Sequence, residues 1–214
     1  YKRQDYTDGS GVVDVIVISA GSTTGTVSFT PTDDSIYDAT SNETATIDIS
    51  GVSGGSATED GTQNVTITIT DDESAPTVTL SRSAATIDED SGSTVTITAT
   101  LSVATFQDVT VTIDGTGGTG TEGTDFGTVS NITISAGSTT GTAAVDPTDD
   151  NVYEGDETAG ISISGVSGGG ASESGSQSVT VTITEDESAP TVTLTVSATS
   201  IAENAGTSLT LTAT

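Results

Sequence analysis

SVTVTITEDESAPTVTL, residues 178–194, holds in one line the features that decide the fold. Val179, Val181 and Ile183 alternate with Thr180, Thr182 and Thr184, the period-two pattern of a strand with one buried face. Three acids, Glu185, Asp186 and Glu187, end the run, and Pro190 opens a second alternating run two residues later. ITEDESAPTVTL at 183–194 repeats ITDDESAPTVTL at 69–80 at 11 of 12 positions, offset by 114 residues. SAGSTTGTVSFTPTDD at 19–34 returns as SAGSTTGTAAVDPTDD at 135–150, matching at 12 of 16 positions with an offset of 116. The two-residue difference lies between Tyr37 and Glu43, against Tyr153 and Glu157.

Internal repetition sets the organisation. One complete unit is expected at 76–189. Residues 1–75 then form the back portion of a preceding unit, and 190–214 the opening strands of a further one. Within the complete unit, alternation predicts strands A (about 77–87, interrupted), B (94–101), C (108–113), D (130–134), E (140–146), F (158–163) and G (178–184). No segment carries a helical period. Seven short strands joined by Gly- and Ser-rich turns predict tandem immunoglobulin-like antiparallel β-sandwiches, an all-β fold.

Composition bounds what such a chain can do. It carries 31 Asp+Glu against 3 Lys+Arg, a formal net charge of −28, with no His, Cys, Met or Trp. That charge disfavours nucleic acid and anionic membrane as partners. No apolar run approaches the roughly 20 residues of a spanning helix, so no direct membrane insertion is expected. Without Cys, stability must come from packing or bound ions rather than disulfides.

The acids are placed unevenly. Of 17 in residues 76–189, 12 fall in four places: 88–90, Asp125, 149–157 and 185–187. If successive strands alternate in direction, the A–B, C–D and E–F connections and the exit from G share one pole. Carboxylates crowded there, with almost no basic residues to pair them, would repel and weaken the fold. Calcium accepts six to eight oxygens in loose geometry, so the ligand supply suits two or more calcium ions per complete domain. Zinc and copper are poor matches without His or Cys. The alternative is a salt-adapted acidic surface without specific sites, which should spread its acids more evenly.

The complete unit resembles a Calx-β domain. The resemblance rests on Ile87-Asp-Glu-Asp-Ser-Gly92, Gly123-Thr-Asp-Phe126, Asp149-Asp-Asn-Val-Tyr-Glu-Gly-Asp-Glu157 and Thr184-Glu-Asp-Glu187. It implies calcium ligation by Glu89, Asp125, Asp149, Asp150, Glu154, Glu157, Glu185, Asp186 and Glu187, with the Val152 carbonyl. In the preceding unit it implies Asp5, Asp33, Asp34, Asp38, Glu43, Asp71, Asp72 and Glu73, with the Ile36 carbonyl. Glu203 of the following segment matches Glu89. Threonine-rich, near-identical units also resemble large bacterial surface adhesins and gliding-motility surface proteins.

Gly51-Val-Ser-Gly-Gly55 and Gly165-Val-Ser-Gly-Gly169 fit the G-x-S-x-G pattern, but a nucleophile elbow needs a helix and a His partner. They read instead as glycine-rich F–G turns, and no enzyme activity is expected. Asn42, Asn64 and Asn131 head glycosylation tripeptides of a kind that arise easily in so Thr-rich a chain. The leading expectation is a calcium-binding structural repeat of a large secreted or cell-surface adhesin or filament. Neighbouring repeats of the same chain are its first partners, and exposed edge strands leave lateral self-association or a cell-surface or matrix ligand open. A regulatory calcium sensor beside a membrane domain and an ion-free acidic spacer are the alternatives. Only Ser188-Ala189 separates Glu187 from Pro190, so calcium is expected at stiff inter-unit junctions.

Overall fold

The computed structural model describes residues 15–38, 43–204 and 206–214, together with the backbone of Tyr6–Thr7. Among the described residues, five strands precede Pro76: β1 (Tyr6–Thr7), β2 (Thr30–Pro31), β3 (Ile36–Tyr37), β4 (Glu43–Asp48) and β5 (Asn64–Ile69). Next come β6 (Thr77–Arg82), β7 (Thr86–Asp88), β8 (Val95–Leu101), β9 (Ala104–Thr105) and β10 (Val109–Gly118). These are followed by β11 (Ile132–Ile134), β12 (Thr140–Val145), β13 (Glu157–Ser167), β14 (Ser172–Glu173) and β15 (Ser178–Thr184). Two strands lie beyond, β16 (Leu194–Val196) and β17 (Leu211–Ala213). The one helical element among the described residues is a single 3-10 turn, Glu89–Ser91.

Alternation builds the sandwich. Along β8, Val95, Ile97, Ala99 and Leu101 are buried while Thr96, Thr98 and Thr100 are only partly so. A five-stranded sheet, in the order β11-β10-β13-β15-β7, packs against a four-stranded sheet in the order β12-β8-β6-β14. Val78, Ile97 and Val145 from one sheet and Val111, Ile132, Ile161 and Val181 from the other are fully buried in one core. Each such side chain contributes roughly 1.5–3 kcal/mol of transfer free energy, an upper estimate against a compact unfolded chain. Among the described residues, Phe126 is the largest fully buried side chain.

Expected strand A is indeed interrupted, and the interruption positions the site. Residues 83–85 leave the four-stranded sheet at a corner where the Ser83 Oγ accepts from the Thr96 amide at 2.9 Å. The chain then crosses to the other sheet, where β7 runs parallel to β15 with Ile87 opposite Ile183 and Asp88 opposite Thr184.

Strands C and F run further than their alternation predicts. β10 continues through Gly115–Gly118 and β13 through Ser167, with register shifts along their pairing. Glycine permits the approach: a Cβ on Gly160 would lie 2.3 Å from the Gly117 carbonyl oxygen. Gly165–Ser167 are therefore strand rather than turn, and the turn proper uses Gly168, Gly169 and Gly170, all at positive φ.

The flanking segments reuse the same registers. Glu43 pairs with Ile69 across β4 and β5 as Glu157 pairs with Ile183 across β13 and β15. Leu194 pairs with Ala213 across β16 and β17 as Leu80 pairs with Ala99 across β6 and β8. β3 pairs in parallel with β9, Ile36 opposite Ala104 and Tyr37 opposite Thr105. That short ladder joins the segment before Pro76 to the sandwich after it.

Candidate metal centre

The crossover of β7 delivers the first acids. Thr184 Oγ1 donates to Asp88 Oδ1 at 2.6 Å, which fixes the two strand ends together. The chain then turns through Glu89–Ser91 and reverses at Gly92, whose φ is 58°. Glu89 is thereby set beside the acids that follow β15. One carboxylate oxygen from each of Glu89, Glu185, Asp186 and Glu187 lies within 4.8 Å of the others.

A second group forms alongside. Asp125, Glu154 and Glu157 also bring one carboxylate oxygen each within 4.8 Å of one another. Asp125 is held by a tight turn in which the Thr121 amide donates to its Oδ2 at 2.6 Å and its own amide donates to the Thr121 carbonyl at 3.0 Å. Its neighbour Phe126 is fully buried and bridges to Glu122 and Pro147, so the core pins this turn.

Glu185 links the two groups. The amides of Glu154 and Gly155 both donate to its Oε2 at 2.6 Å, and the Glu187 amide donates to Oε1 at 3.2 Å. Those backbone donors hold the Glu185 carboxyl down at about 2. Its neighbours are pushed the other way. A carboxyl–carboxyl hydrogen bond with Glu185, together with desolvation, raises Glu187 to about 7. Desolvation and then the charge of Asp125 raise Glu157 to about 7. Glu89 and Glu154 are raised as well, by desolvation first and then by Glu185 and Asp125 respectively.

Of the remaining expected ligands, Asp150 lies between the groups: its backbone amide binds Glu89, and its charge raises both Glu89 and Glu154. Its Oδ1 accepts from the Val152 amide at 2.6 Å. Asp149 and Glu203 are exposed and lie in neither carboxylate group, and Val152, expected to act through its backbone carbonyl, is exposed as well. Asp5 lies outside the described residues.

Before Pro76, Asp33, Asp34, Asp38, Glu43, Asp71, Asp72 and Glu73 line one cavity of about 270 Å³. Ile36 does not line it, but its amide donates to Asp34 Oδ1 at 2.8 Å, the counterpart of Val152 on Asp150. The Asp38 amide donates to Asp71 Oδ2 at 2.9 Å, as Glu154 does to Glu185. Glu73 is raised by its hydrogen bond with Asp71, as Glu187 is by Glu185.

Three residues outside the expected ligand set support the site, two of them, Asp88 and Asp156, among the clustered acids. Asp156 accepts from the Glu185 amide at 3.2 Å, Asp88 binds Thr184, and Gly155 supplies an amide to Glu185. Gly155 has a φ of 82°, and a glycine inside an acidic run was the one available signal.

These residues fit a hard cation. Every side-chain donor is a carboxylate oxygen, and Glu187 Oε2 is buried without a hydrogen-bond partner. A buried polar atom so placed needs a bound water or an ion. The family model of the LapA domain matches residues 74–186. The chain belongs to the LapA-domain family. The LapA-domain match takes in both carboxylate groups except Glu187, which lies one residue beyond it. A crystal structure of the apo form of the Calx CBD1 domain is similar at 22% identity and a TM-score of 0.44, covering 52% of this chain and 99% of that one. No curated protein matches the chain.

Proposed function

We propose that this chain is a calcium-binding structural repeat of a large secreted or cell-surface adhesin, in which calcium at the junctions stiffens an array of β-sandwiches. The observation that carries the reading is the Glu89, Glu185, Asp186 and Glu187 group with its partnerless Glu187 oxygen. Four acids brought together by the β7 crossover onto β15, with two pushed toward neutrality and one held ionised, form a pre-built site for positive charge. Calcium suits it better than magnesium, because the donors are crowded protein oxygens rather than one or two carboxylates holding hydrated metal. Membership of the LapA-domain family is compatible with a surface adhesin repeat.

Calcium would supply the missing charge at each pole, and the chain's own residues do the rest. Glu185 fastens the 154–155 loop to the end of β15, and Glu187 directly precedes the two-residue link to Pro190. Extracellular calcium modules bind on the order of 10⁻⁴–10⁻³ M, which suffices outside a cell.

Calorimetry and thermal melts with calcium, magnesium and sodium at matched ionic strength test the reading. Saturable calcium heats and a melting temperature raised by calcium well beyond magnesium support it. Equal stabilisation by all three salts would reduce the site to a salt-adapted acidic face.

A further inference from the structure

Ile36 and Tyr37 lie in the same loop as the acids of the first cavity, between Asp34 and Asp38. They are half-buried because β3 adds to β9 of the next sandwich, at the pole away from the carboxylate groups. That pole is well built: Thr105 is 1% exposed, its carbonyl accepts the Gly137 amide at 2.7 Å, and Asp108 Oδ1 accepts the Ala136 amide at 2.8 Å. Val152 and Tyr153 occupy the matching places between Asp150 and Glu154. The loop is fixed in the same way, by an amide two residues on donating to Asp34 or Asp150. Yet Val152 is 58% exposed and Tyr153 45% exposed, an apolar pair beside the acids.

We infer that Val152–Tyr153 is a docking strand, and that its partner is the Ala104–Thr105 pole of another unit of this kind, paired in parallel as Ile36–Tyr37 is. The inference rests on the repeat reading above but not on calcium. Main-chain pairing supplies the recognition, with Val and Tyr adding apolar area. Since Ile36–Tyr37 already covers Ala104–Thr105 of this chain, the acceptor must come from a further unit.

The absence of Cys makes the joint directly testable. In the present chain, Ile36→Cys with Ala104→Cys should oxidise to an internal disulfide. The test chain repeats residues 76–189 once after Ala189, which keeps the native Ala–Pro link. It carries Val152→Cys in the first copy and Ala104→Cys in the second. It should cross-link as fast as the Ile36 pair, whereas the same two substitutions within one copy should not. Hydrogen exchange on the Cys-free test chain provides a second reading, and the amides at 152–153 should become as protected as those at 36–37. Cross-linking of the Ile36 pair alone, with 152–153 still unprotected, would overturn the inference. Each reaction is run with calcium and with chelator. A link that forms equally in both supports docking while contradicting calcium control of the joint. Calcium heats without a link contradict docking while leaving calcium binding intact.

Discussion

Glu185 and Glu187 stand two residues apart, and their surroundings drive them in opposite directions. Glu185 gathers backbone amides and is held ionised, whereas Glu187 lacks such donors and is pushed to about 7. Glu187→Gln should therefore raise the melting temperature in chelator by removing a repelling charge, while weakening calcium binding in calorimetry. Glu185→Ala should lower the melting temperature with or without calcium, since the Glu154 and Gly155 amides lose their acceptor. The pH dependence follows from the same shifts. Glu157 and Glu187 are raised from 4.5 to about 7, so their contribution to metal-free stability is full below 4.5 and is lost as pH rises through 7. Glu185 is lowered to about 2, so its contribution is present above 4.5 and is lost as pH falls through 2. In chelator the melting temperature should peak in mild acid and decline toward pH 8, and calcium should flatten that decline. A melting temperature in chelator that rose steadily from pH 5 to 8 would contradict this electrostatic picture.

At the level of strands and turns, the sandwich and the site share supports. Phe126 fills the core, and its neighbour Asp125 belongs to the second carboxylate group. Phe126→Ala should cost about 3–5 kcal/mol in denaturant unfolding and should also weaken calcium binding by freeing the Asp125 turn. Gly160→Ala should cost about 1–3 kcal/mol or more by forcing a Cβ against the Gly117 carbonyl. The sheets were legible because Val/Ile–Thr alternation reports burial directly, as along β8 and β15. The break in strand A was legible too, but not its consequence: nothing local in Ser83-Ala-Ala85 says that the chain changes sheets there. The glycines of 115–118 and 165–167 misled, because glycine marks close backbone approach within a strand as readily as a turn. The two carboxylate groups follow from strand direction plus the position of acids. Backbone hydrogen bonds that hold Asp150 and Glu185 could not be read from the acids alone, since they depend on how the 150–155 loop folds back on the end of β15.

Across the whole molecule, the net charge of −28 opposes any compact end-to-end arrangement unless it is neutralised locally. Among the described residues, the β3–β9 ladder places an acid-bearing loop, through Ile36–Tyr37, on Ala104–Thr105 of the sandwich after Pro76. The acid-bearing loop and the β3 strand are thus the same few residues. Cation binding and joint stiffness should rise together and fall together in high salt with chelator. Small-angle scattering of this chain, in calcium and in chelator at equal ionic strength, tests that link most directly. A larger maximum dimension and a narrower distance distribution in calcium are expected, reverting in chelator. Superimposable curves in the two conditions, from a chain that calorimetry shows to bind calcium, would contradict a role for the ion in holding the joint.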